Sequence, residues 1–175
     1  MEKRILFDTS VYGKLVDDTL LFALILERKQ NHEFIIYGTD IIRKELRATP
    51  ITLFNKTKDK KIRIFSLSLY DALITKDNHH LRMNDLIQLL AYKYIQEYKR
   101  QGGNVGAEEL RNDFLLIASA TIYHLDIVVS DDRRTMLSES AQRAYTIVNK
   151  NMGLRNPVYL LYNLFRTKIF KRSGI

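Results

Sequence analysis

Apolar positions along the chain come in two kinds of block, and their alternation predicts the architecture. Arg4 to Phe7 is a short apolar run ending at Asp8 and reads as a buried strand. Thr9 and Ser10 then offer N-cap chemistry for a helix running to about Gln30. Glu33 to Tyr37 (Glu-Phe-Ile-Ile-Tyr) reads as a second strand ended by Gly38, with Thr39 or Asp40 capping a helix that contains Ile41, Ile42, Glu45 and Leu46. Ile62 to Leu67 reads as a further strand or an extended linker.

From Met83 to Arg100, Leu86, Leu89, Leu90, Ile95 and the tyrosines recur at helical spacing, and Gly102-Gly103 stops the helix. Ala107 to His124 repeats the pattern through Leu110, Phe114, Ile117, Ala118 and Thr121. Ile127 to Val129 is a short β-branched strand, and Asp131-Asp132 is expected to open a helix to about Ala144. Tyr145 to Val148 reads as the last strand, and Asn156-Pro157 as the cap of a C-terminal helix over about 156–170. Strands alternating with helices predict an α/β fold with a mainly parallel central sheet covered on both faces. No repeat, low-complexity tract or linker interrupts residues 1–175, so one domain is expected.

Composition narrows the chemistry. The chain has 46% hydrophobic and 27% charged residues, ordinary for a globular protein, and no cysteine. Thiolate metal sites, disulfides and cysteine nucleophiles are therefore excluded, and a reducing compartment is compatible. No apolar run approaches the roughly 18 residues of a transmembrane helix, and the N-terminal run is too short for a signal peptide. A soluble, cytoplasmic protein without a membrane partner is expected. The formal charge is +8, which favours a polyanionic partner, nucleic acid before others. One basic cluster is Lys56-Lys58-Lys60-Lys61-Arg63. A second, Arg166-Lys168-Lys171-Arg172, fits a solvated tail equally well. Lys58, Lys60, Lys61 and Arg63, with Arg133 further on, are the candidate phosphate contacts.

The carboxylates carry more information. Asp8 follows the first strand, Glu45 lies in the helix after the second, and Asp113 interrupts an apolar helical stretch. Asp131 and Asp132 follow the strand Ile127 to Val129. In a parallel sheet, ligands bind outside the carboxyl ends of the strands, where these acids converge. Crowded carboxylates raise one another's pKa, and a divalent cation relieves the repulsion. Hard cations such as Mg²⁺ and Mn²⁺ take oxygen ligands and promote phosphodiester hydrolysis. Each acid alone has a plainer reading as a helix cap or a solvated helix residue; the ordered set supports the functional one.

The residues resemble the PIN-domain family of metal-dependent ribonucleases, VapC-like members among them. Ile5-Leu6-Phe7-Asp8-Thr9-Ser10 resembles its opening motif, and Ile41-Ile42-Arg43-Lys44-Glu45-Leu46 its second. Asn112-Asp113-Phe114-Leu115-Leu116-Ile117-Ala118-Ser119-Ala120 is similar to the third, and Asp126-Ile127-Val128-Val129-Ser130-Asp131-Asp132-Arg133 to the fourth. The likeness implies a PIN-like three-layer domain and a metal-dependent endoribonuclease, of toxin or RNA-processing type. It implies Asp8, Glu45 and Asp113 as metal ligands or water activators, with Asp132 as the fourth acid and Asp131 as its rival. Ser10 and Ser130 would hydrogen-bond acids of the site, and Mg²⁺ or Mn²⁺ would be the cofactor. An RNA substrate, an antitoxin or inhibitor protein and a homodimer are the implied partners. The Tyr- and Leu-rich segment Val158 to Phe165 offers an apolar face for a dimer or for packing on its own domain.

The stretch from about Pro50 to Gln101 matches no motif, and its His79-His80 pair is expected in an exposed loop without a catalytic role. A non-catalytic RNA-binding module with the same fold is the alternative function. Phosphatase chemistry of the haloacid-dehalogenase type expects a second acid two residues after the first, where this chain has Ser10. No Gly-Lys-Ser/Thr nucleotide loop is present.

Overall fold

The computed structural model describes residues 2–48 and 62–173. Five strands, β1 (Lys3–Phe7), β2 (Phe34–Thr39), β3 (His80–Leu81), β4 (Ile127–Ser130) and β5 (Val158–Leu161), form one sheet in the order β3-β2-β1-β4-β5. Every neighbouring pair is parallel. All carboxyl ends therefore lie along one edge. The chain leaves β1 for β2 on one side and returns to β4 on the other, which makes the β1/β4 boundary the switch point where ligands bind in such sheets.

Helices cover both faces. On one, α5 (Asp85–Arg100), α6 (Ala107–Ile122) and α7 (Glu139–Asn151) pack together. On the other, α2 (Thr19–Gln30) packs on α8 (Tyr162–Ser173). The remaining helices, α1 (Thr9–Leu15), α3 (Asp40–Ala48) and α4 (Ile62–Leu73), pack on one another. Being covered twice, the carboxyl-terminal part of β1 has no polar face: Ile5, Leu6 and Phe7 are all fully buried. Each such side chain contributes about 1.5–3 kcal/mol relative to exposure. Alternation along β5 sends Leu160 toward α8 and Tyr159 toward α7, where its ring lies 5.6 Å from Tyr145. Phe165 of α8 meets Phe7 at 5.3 Å and Phe34 at 6.4 Å, while Phe114, Tyr94 and Tyr145 fill the opposite layer.

Several expected elements differ. The first helix breaks in two because Asp18 supplies a second N-cap, accepting from the Leu21 amide at 3.2 Å. β2 does not stop at Gly38 but runs through it to Thr39. A Cβ there would collide with the Tyr70 hydroxyl and Ile74, so glycine permits close helix packing. Ile62 to Leu67 is helical, as the first half of α4: the buried positions Ser66, Tyr70 and Leu73 have a period of three to four. Tyr145 to Val148 is the interior of α7. Its β-branched run suggested a strand, but Ala141, Ala144, Tyr145 and Val148 make one buried helical stripe.

The last strand is β5 instead, inside the segment expected to be helix, and α8 begins only at Tyr162. Asp131-Asp132 does not open a helix directly. The Asp132 carboxylate closes a turn by accepting from the Arg134 and Thr135 amides, and α7 starts later under a Ser138 cap. β3, two residues long, gave no periodic signal. In the C-terminal segment Leu160, Tyr162 and Phe165 pack on their own domain, while Val158 and Leu164 are exposed.

Candidate active site

The chain turns from strand to helix at Asp8, whose extended backbone ends β1 and caps α1. Its carboxylate is nearly buried and accepts three hydrogen bonds. The Thr9 amide donates at 2.7 Å, the Ser10 hydroxyl at 2.7 Å and the Ser130 hydroxyl at 2.8 Å. The same serines accept from the next loop: Ser10 Oγ from the Asp131 amide at 3.1 Å, and Ser130 Oγ from the Asp132 amide at 3.0 Å. Two hydroxyls thus lace the ends of β1 and β4 together around one carboxylate.

Glu45 arrives from α3 and Asp113 from α6. Thr9 Oγ1 donates to Glu45 Oε2 at 2.5 Å, and Asn112 Nδ2 donates to Oε1 at 2.7 Å, clipping α1, α3 and α6 to one point. The Thr135 hydroxyl contacts the carboxylates of both Asp113 and Asp132. One hydroxyl carries one proton, so the two carboxylates share it and neither receives a full hydrogen bond from Thr135.

Burial pushes the Asp113 pKa up to about 7. The Thr135 hydroxyl opposes the rise, and the charges of Asp8, Asp132 and Glu45 add to it. Burial also works against ionised Asp132, but the Thr135 hydroxyl and the amides of Thr135, Arg134 and Met136 outweigh it and hold its pKa below the usual range. Two neighbouring acids are driven apart, one toward the proton and one toward the charge.

Asp131 points elsewhere. It pairs with Lys14 of α1, whose ammonium also lies over the Tyr162 ring, 5.1 Å from its centroid. Arg133 is exposed on the same loop, and Arg134 pairs with Glu109. Arg63 is half-buried in the first turn of α4, whereas Lys58, Lys60 and Lys61 lie outside the described residues. His79 and His80 are half-buried rather than exposed. His80 approaches Asp40 at 3.4 Å, and the His79 ring lies 5.4 Å from that of Tyr37. Burial, helped by Lys76 and Lys29, holds the His79 pKa down.

The donor set suits a hard divalent cation in kind, being all oxygen and mutually repulsive. Among the described residues, however, no three His, Asp or Glu side chains stand close enough to hold one metal ion. Serine and threonine hydroxyls occupy the carboxylates instead. Thr9, Thr135, Asn112 and Lys14 had no role assigned from sequence. Thr135 sits three residues after Asp132, a spacing typical of carboxylates that close turns. Lys14 sits one helical turn beyond Ser10, on the same face. Asn112 and Thr9 border motif acids, but nothing in sequence pairs them with Glu45.

A parallel sheet in this order, with acids from β1, α3, α6 and the β4 loop at its carboxyl edge, is the VapC-like PIN-domain fold. No family model and no curated protein matches the chain in sequence. Among solved structures, the chain is similar to one of VapBC-1 from nontypeable Haemophilus influenzae. The identity is 14%, the TM-score 0.53, and the match covers 91% of this chain and 98% of that one. It is also similar to FitAB bound to an IR36 DNA fragment, at 16% identity and TM-score 0.55 over 90% and 94% of the two chains. VapBC2 from Rickettsia felis, bound to a DNA fragment from their promoter, matches at 12% identity and TM-score 0.54 over 90% and 98%. At these identities the likeness establishes the fold.

Proposed function

We propose that the chain, acting as one nuclease domain, is a metal-dependent endoribonuclease that hydrolyses RNA phosphodiester bonds. The observation that supports it most is the convergence of Asp8, Glu45, Asp113 and Asp132 at the sheet's switch point, tied by Thr9, Ser130 and Thr135, where burial first and the other three charges after it raise the Asp113 pKa. Asp8, Glu45, Asp113 and Asp132 would hold Mg²⁺ or Mn²⁺ once their hydroxyl partners turn aside. Bound there, the cation would supply Lewis-acid charge beside the scissile phosphate and acidify the attacking water. Asp8 is held rigid by two serines, and Asp132 is kept ionised by backbone amides. Asp113 would serve as a cation ligand or accept the water's proton as the new phosphorus–oxygen bond forms and the ribose oxygen leaves; its metal-free pKa, about 7, would fall once the cation is bound. Lys14, Arg133 and the Lys58, Lys60, Lys61 and Arg63 cluster would meet backbone phosphates.

The role we infer is toxin-type. VapBC and FitAB are named as pairs, and by analogy an antitoxin would cover this chain's site. A homodimer would use the exposed Val158 and Leu164. The spacing of the acids, with no ready three-ligand group among the described residues, favours a second reading as a non-catalytic RNA-binding module.

Cleavage of a labelled single-stranded RNA pool in Mg²⁺ or Mn²⁺, with Asp113→Asn beside the wild type, separates the two. Cutting that requires the metal and falls at least about a hundredfold in the variant supports the nuclease. No cutting, with RNA binding that survives EDTA, supports the module. Equal cutting by both proteins would remove Asp113 from the mechanism.

A further inference from the structure

Beside the acids the surface is grooved. One cavity, of about 260 Å³, lies where β2 and β3 end between α3 and α6; Leu81, Met83 and Leu115 line it, as do Lys44 and Arg111. A second, of about 320 Å³, runs along the α5–α6 surface past Tyr92. Gln88, Arg111 and Leu115 line both, so the two are halves of one groove. Its near end lies one residue from the site along both α3 and α6. Lys44 precedes Glu45, and Arg111 precedes Asn112, whose amide is bonded to Glu45.

The groove's chemistry is unspent. Lys44, Gln88 and Arg111 are exposed, and none has a side-chain hydrogen-bond or ion-pair partner among the described residues. Tyr92 is 60% exposed and Met83 37%, although both are large apolar side chains. A splayed single strand needs such a set: a flat ring for stacking, an apolar slot, an amide for a base edge and cations for phosphates. Each half is at or below the small end of the range for ligand pockets, roughly 300–1,000 Å³, which suits one nucleoside apiece. The near half sets Lys44 and Arg111 against the one carboxylate of Asp40, and the far half sets Arg111 against Glu108, so phosphates are drawn to the Lys44 side.

We propose that this groove binds the bases next to the scissile phosphate and thereby selects the RNA sequence that is cut. Resting on the nuclease reading, it assigns the substrate as single-stranded RNA, one base against Met83 and Leu115 and the next stacked on Tyr92. A second copy of the chain seated on Tyr92, Leu86 and Leu89 is the competing occupant.

The test uses Tyr92→Ala and Arg111→Gln, both at exposed positions, in two arms. In the first, products from a randomised RNA pool are sequenced; the wild type is expected to show a base preference beside the cut, relaxed about tenfold in each variant. Unchanged preference overturns the proposal. In the second, fluorescence anisotropy in EDTA measures binding of a labelled single-stranded RNA. The variants are expected to bind at least about fivefold more weakly, while Asp113→Asn is not weakened. This arm needs no cleavage: if the chain cuts nothing but the variants lose binding, the groove stands and the nuclease reading falls. Equal binding, or a dimer that Tyr92→Ala dissociates without any change in RNA binding, overturns the groove.

Discussion

A carboxyl that keeps its proton to neutrality carries a cost when that proton leaves, and Asp113 is such a group. Its folded pKa, about 7, lies above the ordinary aspartate value of 3.8. The folded state therefore binds the proton more tightly than the unfolded chain does. The stabilisation is fully present below about pH 4 and is lost as pH rises through about 7. At roughly 1.4 kcal/mol per pKa unit, the metal-free protein loses up to about 4 kcal/mol over that interval from this residue. Asp113→Asn carries no such charge. In EDTA its Tm is expected to fall below or match that of the wild type at pH 4 and to exceed it at pH 8. A Tm difference that is flat with pH would show that neither burial nor the neighbouring acids hold the proton on Asp113. The acids themselves were legible in sequence because each sits in a short local frame, such as Phe7-Asp8-Thr9-Ser10. Their partners were not. Thr9 with Glu45, and Thr135 with Asp113, are joined only by the crossing of distant helices.

Elements were legible where one period dominates a long segment. α5 and α6 announce themselves over sixteen residues each, and β1 by an apolar run ending in an acid. Val148 and its neighbours deceived because four β-branched and aromatic residues satisfy a strand template as well as a helix, and only packing against Tyr94 and Phe114 decides. Gly38 is a related case: as a strand terminator it reads as a turn residue, while its role is contact with α4. Gly38→Ala is expected to destabilise by about 1–3 kcal/mol, as overpacking does. The Tyr70 hydroxyl is the nearest obstacle and also donates to the Thr39 carbonyl at 3.2 Å. Tyr70→Phe on its own gives up that bond but should recover part of the loss when combined with Gly38→Ala. A double-mutant cycle by urea unfolding measures this. Strict additivity would mean that the collision is relieved by backbone movement instead of by the ring.

At the scale of the whole molecule, a chain of net charge +8 carries its acids gathered at one edge of the sheet. For an RNA strand these are opposing fields: the basic body attracts phosphate, and the unneutralised centre repels it. A divalent cation at the centre would reverse the local sign and leave the body unchanged. Ca²⁺ takes the same oxygen ligands with looser geometry and so serves as a probe. Affinity for a cleavage-resistant single-stranded RNA is expected to rise at least about fivefold on adding Ca²⁺ at constant ionic strength, because repulsion from several carboxylates is removed. Lys14 shares its charge with Asp131 in the free protein, and a strand drawn over the cation-loaded centre would compete with that carboxylate for it. Lys14→Gln should therefore lower the slope of log affinity against log salt by about one in Ca²⁺, and by less in EDTA. An affinity that falls or stays level with Ca²⁺ would mean that the strand does not pass over the acids. The basic surface would then be a docking face separate from them.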